Sequence, residues 1–137
     1  MAREQIKTVT ASSNAAGFEP AKAFDEDITF GTGWSASSPA VPQTLTAELT
    51  AAHNLNGVRI HWGKDSSWYT FDLQTSTDGA TWNTVFSGLT RAGQYTLPEV
   101  CTAKDVRQIR VVVTQVSGGG AQTIAGIAEV ILYGTPA

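Results

Sequence analysis

The sequence has 137 residues, of which 42% are hydrophobic and 15% charged, with a formal net charge of −3. That length suits one domain spanning residues 1–137, able to bury roughly two-thirds of its unfolded surface, and the apolar content excludes disorder. Without a cluster of Lys and Arg there is no electrostatic footprint for a nucleic-acid backbone, and no apolar run approaches the ~18 residues needed to insert in a membrane.

One cysteine, Cys101, rules out an internal disulfide and a Cys-based metal site, so it reads as a buried small hydrophobe. The opening MAREQIKTVTASS lacks the apolar core of a signal peptide. Either export information has been cut away or the chain reaches its place of action without it. A surface poor in charge and rich in Ser, Thr, Ala and Gly is common on extracellular and virion-surface proteins.

In chain order, residues 4–11 alternate weakly around Ile6 and Val9 and read as a first strand, followed by a loop over 12–17. Pro20 can open a short helical turn through Phe24. The acidic, Gly-rich stretch 25–33 reads as a loop closed by Trp34, and 35–42, with two prolines, as another irregular segment. Residues 44–49 alternate as a strand, and a turn is expected through His53 to Gly57. Val58-Arg59-Ile60-His61-Trp62 is then a strand with Val58, Ile60 and Trp62 on one face and a solvated face at Arg59 and His61.

Tyr69, Phe71 and Leu73 alternate with Thr70, Asp72 and Gln74, the pattern of a half-buried strand. Asp78-Gly79 is a turn dipeptide, and Trp82-Asn83-Thr84-Val85-Phe86 starts the returning strand. Further strands are expected at 94–97, at 108–115 with Ile109, Val111 and Val113 inward, and at 127–133. No helix of two turns is expected, because apolar residues recur at period two. Some eight short strands without an internal repeat predict an all-β, antiparallel sandwich with the core between two inner faces.

The run YTFDLQTSTDGATWNTVFSG resembles the central signature of discoidin-type domains, the coagulation-factor C-domain family, and especially its bacterial family-32 carbohydrate-binding modules. PAKAFDEDITFGTGW, VRQIRVVVT and IAGIAEVILYG resemble three other pieces of that family in the expected order. The resemblance spans nearly the whole chain. It implies an eight-stranded jelly-roll sandwich, frequently with one structural calcium, and a ligand site in the loops at one end. The sequence departs from the family pattern in having Asp25-Glu26 where an Asp-Gly pair is usual, in a longer spacing from Asp25 to Trp34, and in lacking the vertebrate members' terminal cysteine pair. The binding-loop His and Arg of galactose-specific members have no clear counterpart.

Calcium takes six to eight oxygen ligands, and the resemblance brings Asp25, Asp27, Thr32 and Glu129 together as its ligands, with carbonyls of Ala23, Thr29 or Ala128 as additions. For a sugar, which needs an aromatic face and a few polar groups, it directs attention to loops 35–39, 63–68 and 117–123. These offer Ser37, Lys64, Asp65, Trp68 and Gln122, with Trp68 as the platform because it stands at a loop edge. Trp34, Trp62 and Trp82 read as core. His53 and His61 lack a partnered nucleophile or second ligand, and no carboxylate pair faces a cleft, so no enzyme is expected. Two functions follow. One is a non-catalytic, lectin-like adhesion module attaching a larger protein or particle to a glycan or polysaccharide. The other is a phage virion decoration or fibre-anchoring protein that uses the same fold for contacts with other subunits.

Overall fold

The computed structural model describes residues 1–118 and 123–137. These form seven strands: β1 (Ile6–Ala11), β2 (Trp34–Ser35), β3 (Gln43–Trp62), β4 (Ser67–Ser76), β5 (Asn83–Ala92), β6 (Glu99–Gly118) and β7 (Gly126–Pro136). Short 3-10 turns occupy Arg3–Gln5 and Pro20–Phe24, the second opened by Pro20 as expected. All strand pairs are antiparallel, so the expected all-β sandwich is the fold.

Seven strands stand where some eight were expected, and β3 and β6, twenty residues each, serve both layers. Residues 43–49 of β3 pair with β1 and with the 108–113 part of β6. Residues 53–62 pair instead with β7 and with the 99–106 part of β6. Strand β4 lies between the second half of β6 and β5. The expected turn over His53 to Gly57 is therefore a continuation of β3. Register shifts between Glu48 and Gly57 absorb extra residues and let the strand change layers while His53 and Leu55 stay buried.

The core is one cluster. Val58, Ile60 and Trp62 meet Tyr69, Phe71, Leu73 and the inward set Ile109, Val111 and Val113, all buried as their alternation predicts. Across the layers, the ring of Trp62 stacks on Tyr69 with centroids 4.5 Å apart and planes at 7°, and Phe71 tilts against it at 5.1 Å. Cys101 is buried in the same cluster, and burial pushes its thiol up from the ordinary value.

Two further expectations differ from the structure. Residues 94–97 do not pair as a strand. Side chains hold that segment instead: Arg59 Nε donates to the Thr96 carbonyl at 2.5 Å, and the Arg91 guanidinium covers the Tyr95 ring at 4.7 Å. Trp82 is half-buried and outside the core. It shares the outward phase of Thr84, and the Arg110 guanidinium stacks over its ring at 4.0 Å.

The acidic loop reaches the sandwich through Gly33. Its φ of +86° lies in the left-handed region, and a Cβ there would run into the Ile127 carbonyl and the Ala128 Cα of β7. Gly33→Ala is expected to lower the unfolding free energy by roughly 2–4 kcal/mol in urea denaturation. A loss under about 0.5 kcal/mol, the range of an ordinary surface change, would show that the loop does not dock this closely.

Candidate functional site

The loop between β3 and β4 is fixed at one end of the sandwich. Gly63 donates its N–H to the Gly126 carbonyl at 2.9 Å and accepts from Gly31 N–H at 3.0 Å. Lys64 donates its N–H to the Tyr69 hydroxyl at 3.1 Å, so the polar tip of a fully buried ring holds the loop from below. Behind it, Gly93 donates to the Ser67 carbonyl at 2.7 Å.

Beside this loop lies a cleft of about 170 Å³, walled by Phe18, Trp34, Tyr69 and Ile124, with Thr32 and Lys64 at its polar edge. Among the described residues Lys64 is the one charged residue lining it. Trp34 is a core residue, as expected, and its indole N–H donates to the Ser13 carbonyl at 2.8 Å, tying the 12–17 loop to this end. Sequence reasoning missed Phe18 and Ile124. Each sits in an irregular segment where no periodicity marks a wall, and the signal available for Phe18 was only an aromatic beside a Gly.

Trp68 is 53% exposed, the first outward residue of β4. Its cross-strand neighbours are small, Ala92 on β5 and Ser117 on β6, and Gly118 lies at its ring edge, so among the described residues nothing bulky covers the indole. Lys64 and Asp65 are also exposed, and among the described residues neither forms a salt bridge. Ser37 is exposed at the same end, its N–H donating to the Ser13 hydroxyl at 3.1 Å, but it does not line the cleft. Gln122 falls outside the described residues. The structure thus places Lys64, Asp65 and Trp68 on one short stretch, with only Lys64 on the cleft wall.

Glu129 on β7 is 4% exposed and organises the acidic loop. Its two oxygens accept the N–H groups of Asp25 at 3.1 Å and Glu26 at 3.0 Å. Asp25 Oδ1 in turn accepts Asp27 N–H at 3.1 Å, Asp27 Oδ1 accepts Thr29 N–H at 2.9 Å, and the Thr32 hydroxyl donates to the Thr29 carbonyl at 2.6 Å. Glu26, standing where the family has Gly, takes φ +70°, the conformation a glycine would hold without strain.

Burial pushes the Glu129 carboxyl up to about 7, and the nearby Asp25 charge adds to this against the Glu26 amide bond. Hydrogen bonding by Thr29 holds Asp27 below its ordinary value. His61, expected on a solvated face, is buried: it is the cross-strand partner of Glu129, on the face the acidic loop covers. Its pKa is lowered by that burial and by Arg59.

The donors at this loop are hard oxygens around a buried carboxylate that has no cationic partner among the described residues, which is chemistry that suits calcium. The arrangement itself holds Glu129 with amides. Among the described residues no three His, Cys, Asp or Glu side chains converge as a metal cage.

Residues 8–130 match the F5/8 type C domain family. Among solved structures, the chain is similar to chitosan-binding module 1 of a chitosanase/glucanase from Paenibacillus sp. IK-5. The two share 28% identity over 98% of this chain and 99% of that one, with a TM-score of 0.80. It is also similar to the CBM32 of AlyQ solved with 4,5-unsaturated mannuronic acid, at 28% identity over 93% and 95% of the chains and a TM-score of 0.73. A pectin-binding carbohydrate-binding module shares the fold, with 22% identity over 93% and 90% and a TM-score of 0.77. These three are binding modules rather than catalytic domains. No curated protein matches the chain.

Glu129 gives a pH signature in metal-free solution. Its folded pKa of about 7 lies above the ordinary 4.5, so the folded state keeps a proton that the unfolded state releases. Its contribution is therefore fully present below pH 4.5 and is lost as pH rises through about 7. Unfolding free energies measured across that window are expected to fall, and Glu129→Gln is expected to flatten the fall. An unchanged slope in the variant would assign the titration to another group.

Proposed function

The chain belongs to the F5/8 type C domain family, and from that membership we propose that it is a non-catalytic carbohydrate-binding module that attaches a larger protein or particle to a glycan surface outside the cell. The observation that carries this reading is Trp68, an open aromatic face at the sandwich end with Lys64 and Asp65 beside it. An indole face suits the apolar C–H side of a sugar ring, and the neighbouring ammonium and carboxylate supply bonds to hydroxyls. The cleft walled by Phe18 and Ile124 offers a second apolar surface next to the same loop.

Relatives at 28% identity are a chitosan-binding module and a module bound to an unsaturated mannuronic acid, which supports a polysaccharide as the ligand class. Single modules of this kind gain strength from multiple copies through effective concentration, which fits an appendage of a larger assembly.

Calcium is the proposed structural ion, held through Glu129, Asp25, Asp27 and Thr32. It would supply the positive charge that buried Glu129 lacks.

The test for sugar is titration with chitosan, mannuronate and galacturonate oligosaccharides and with simple galactosides. Binding is expected to at least one of them, and Trp68→Ala is expected to weaken it at least about tenfold, the loss typical of an anchoring aromatic. Undiminished binding in the variant would remove Trp68 as the platform. Absence of binding to any glycan would favour the particle-decoration reading. For the metal, added calcium is expected to raise the melting temperature by several degrees over chelated protein, as a ligand of the folded state should. Asp27→Asn is expected to blunt that rise, and equal melting in calcium and in chelator would exclude the ion.

A further inference from the structure

We propose that an extended sugar-binding track runs from Trp68 along the outward face of β4 to Trp82, so that the module holds several consecutive units of a polysaccharide chain. This rests on the carbohydrate-binding reading above and adds the length of ligand engaged.

The track follows from strand parity and register. Trp68, Thr70, Asp72 and Gln74 share the outward phase of β4, while Tyr69, Phe71 and Leu73 point into the core. Trp68 and Gln74, six residues apart, are roughly 20 Å apart along the strand. Trp82 lies at the far end, reached by the same Arg110 that touches Gln74. An aromatic side chain therefore stands at each end of a strip several sugar rings long.

Between them the surface is mostly hydroxyls and amides. Thr70 is flanked by Thr90 on β5 and Gln115 on β6, and Gln74 by Thr84 and Arg110. The Thr70 and Thr90 hydroxyls bond each other at 2.9 Å, and Gln74 Nε2 donates to the Thr84 hydroxyl at 3.4 Å. These pairs fix the polar atoms in place and leave lone pairs facing outward, which lowers the cost of ordering them around a ligand.

Charge and apolarity select the occupant. Asp72 accepts Gly88 N–H at 2.7 Å, and Arg110 is held on the Trp82 ring with its Nε donating to Gln74 at 2.5 Å. The strip thus carries one charge of each sign, both already engaged, so recognition falls to the hydroxyls and ring faces that a cationic and an anionic sugar chain share. Among the described residues Val112, opposite Asp72, is the only large aliphatic side chain along it, too little for the apolar centre of a protein interface. Fixed hydroxyls and amides between two aromatics match a sugar polymer bound through its hydroxyls and ring faces.

The test is titration of the protein with dimers, tetramers and hexamers of chitosan and of mannuronate, repeated with Thr90→Arg and Thr84→Arg, both at exposed positions. Affinity is expected to rise about tenfold from dimer to hexamer, a gain of about 1.4 kcal/mol. Each variant is expected to remove most of that gain, and Thr84→Arg, roughly 20 Å from Trp68 along the strand, to do so with dimer affinity unchanged. Equal affinity for all lengths, or a gain intact in both variants, would overturn the track and leave the end site standing. Absence of binding to every length of both sugars would overturn the track together with the reading it rests on.

Discussion

The stack of Trp62 on Tyr69 is the contact on which the rest of this end of the molecule depends. Trp62 closes β3 in one layer, Tyr69 opens β4 in the other, and their rings meet face to face at 4.5 Å where the two layers must be joined. Such a pair contributes about 0.5–1.5 kcal/mol beyond the burial of its surface. Its larger consequence is geometric. A buried tyrosine needs a partner for its hydroxyl, and here the partner is the Lys64 N–H in the loop above. Burial of the ring also pushes the Tyr69 phenol above its ordinary value, so the hydroxyl stays neutral as it accepts that bond. The four-residue crossing from layer to layer is thereby held from inside the core, and Lys64, Asp65 and Trp68 take their positions from it.

Glu129 does for the acidic loop what Tyr69 does for the 63–66 loop, with an opposite energetic sign. A buried tyrosine hydroxyl is neutral, whereas a buried carboxylate must lose hydration, and its rise to about 7 records that cost. Two backbone amides offset part of it, and the left-handed Glu26 lets both reach the carboxylate together. A loop from 25 to 33 with no ladder of its own is ordered in this way by one side chain from the last strand. The same link covers His61, which is why an outward-phase histidine is buried.

Much of the fold was legible in the sequence because burial on one face writes itself as alternation. Val58, Ile60 and Trp62, then Tyr69, Phe71 and Leu73, and finally Ile109, Val111 and Val113 all point inward as their spacing required. What was not legible came from long-range partners. The stretch His53 to Gly57, with two Asn and a Gly, has the composition of a turn, and only its pairing with β6 and β7 makes it strand. Residues 94–97 look extended, yet arginines from other strands hold them. Trp82 misled through its size, because the expectation that a tryptophan is buried outweighed its parity with Thr84. At the site, the 63–68 stretch was visible as a break between two alternating runs. Phe18 and Ile124 had no such frame, and the distance of Ser37 from the cleft wall depends on how the 12–17 loop folds back.

Adjacent residues Trp68 and Tyr69 face opposite ways, one to solvent and one to the core, and parity alone separates them. A slip of one residue in β4 would exchange an open aromatic face for a core ring and turn every neighbour over as well. The strand is protected against that slip on both sides. Its register with β6 shifts between Thr70 and Phe71, and its register with β5 shifts between Phe71 and Leu73. Bulges of this kind fit only one alignment, so they fix which phase faces water. The Trp62 stack adds a third lock, since it is Tyr69 whose ring lies face to face on Trp62 where that residue ends β3. The exposure of Trp68 is therefore imposed by the core, and the residue at that position can change without cost to the fold, which leaves it to be chosen for what it meets outside.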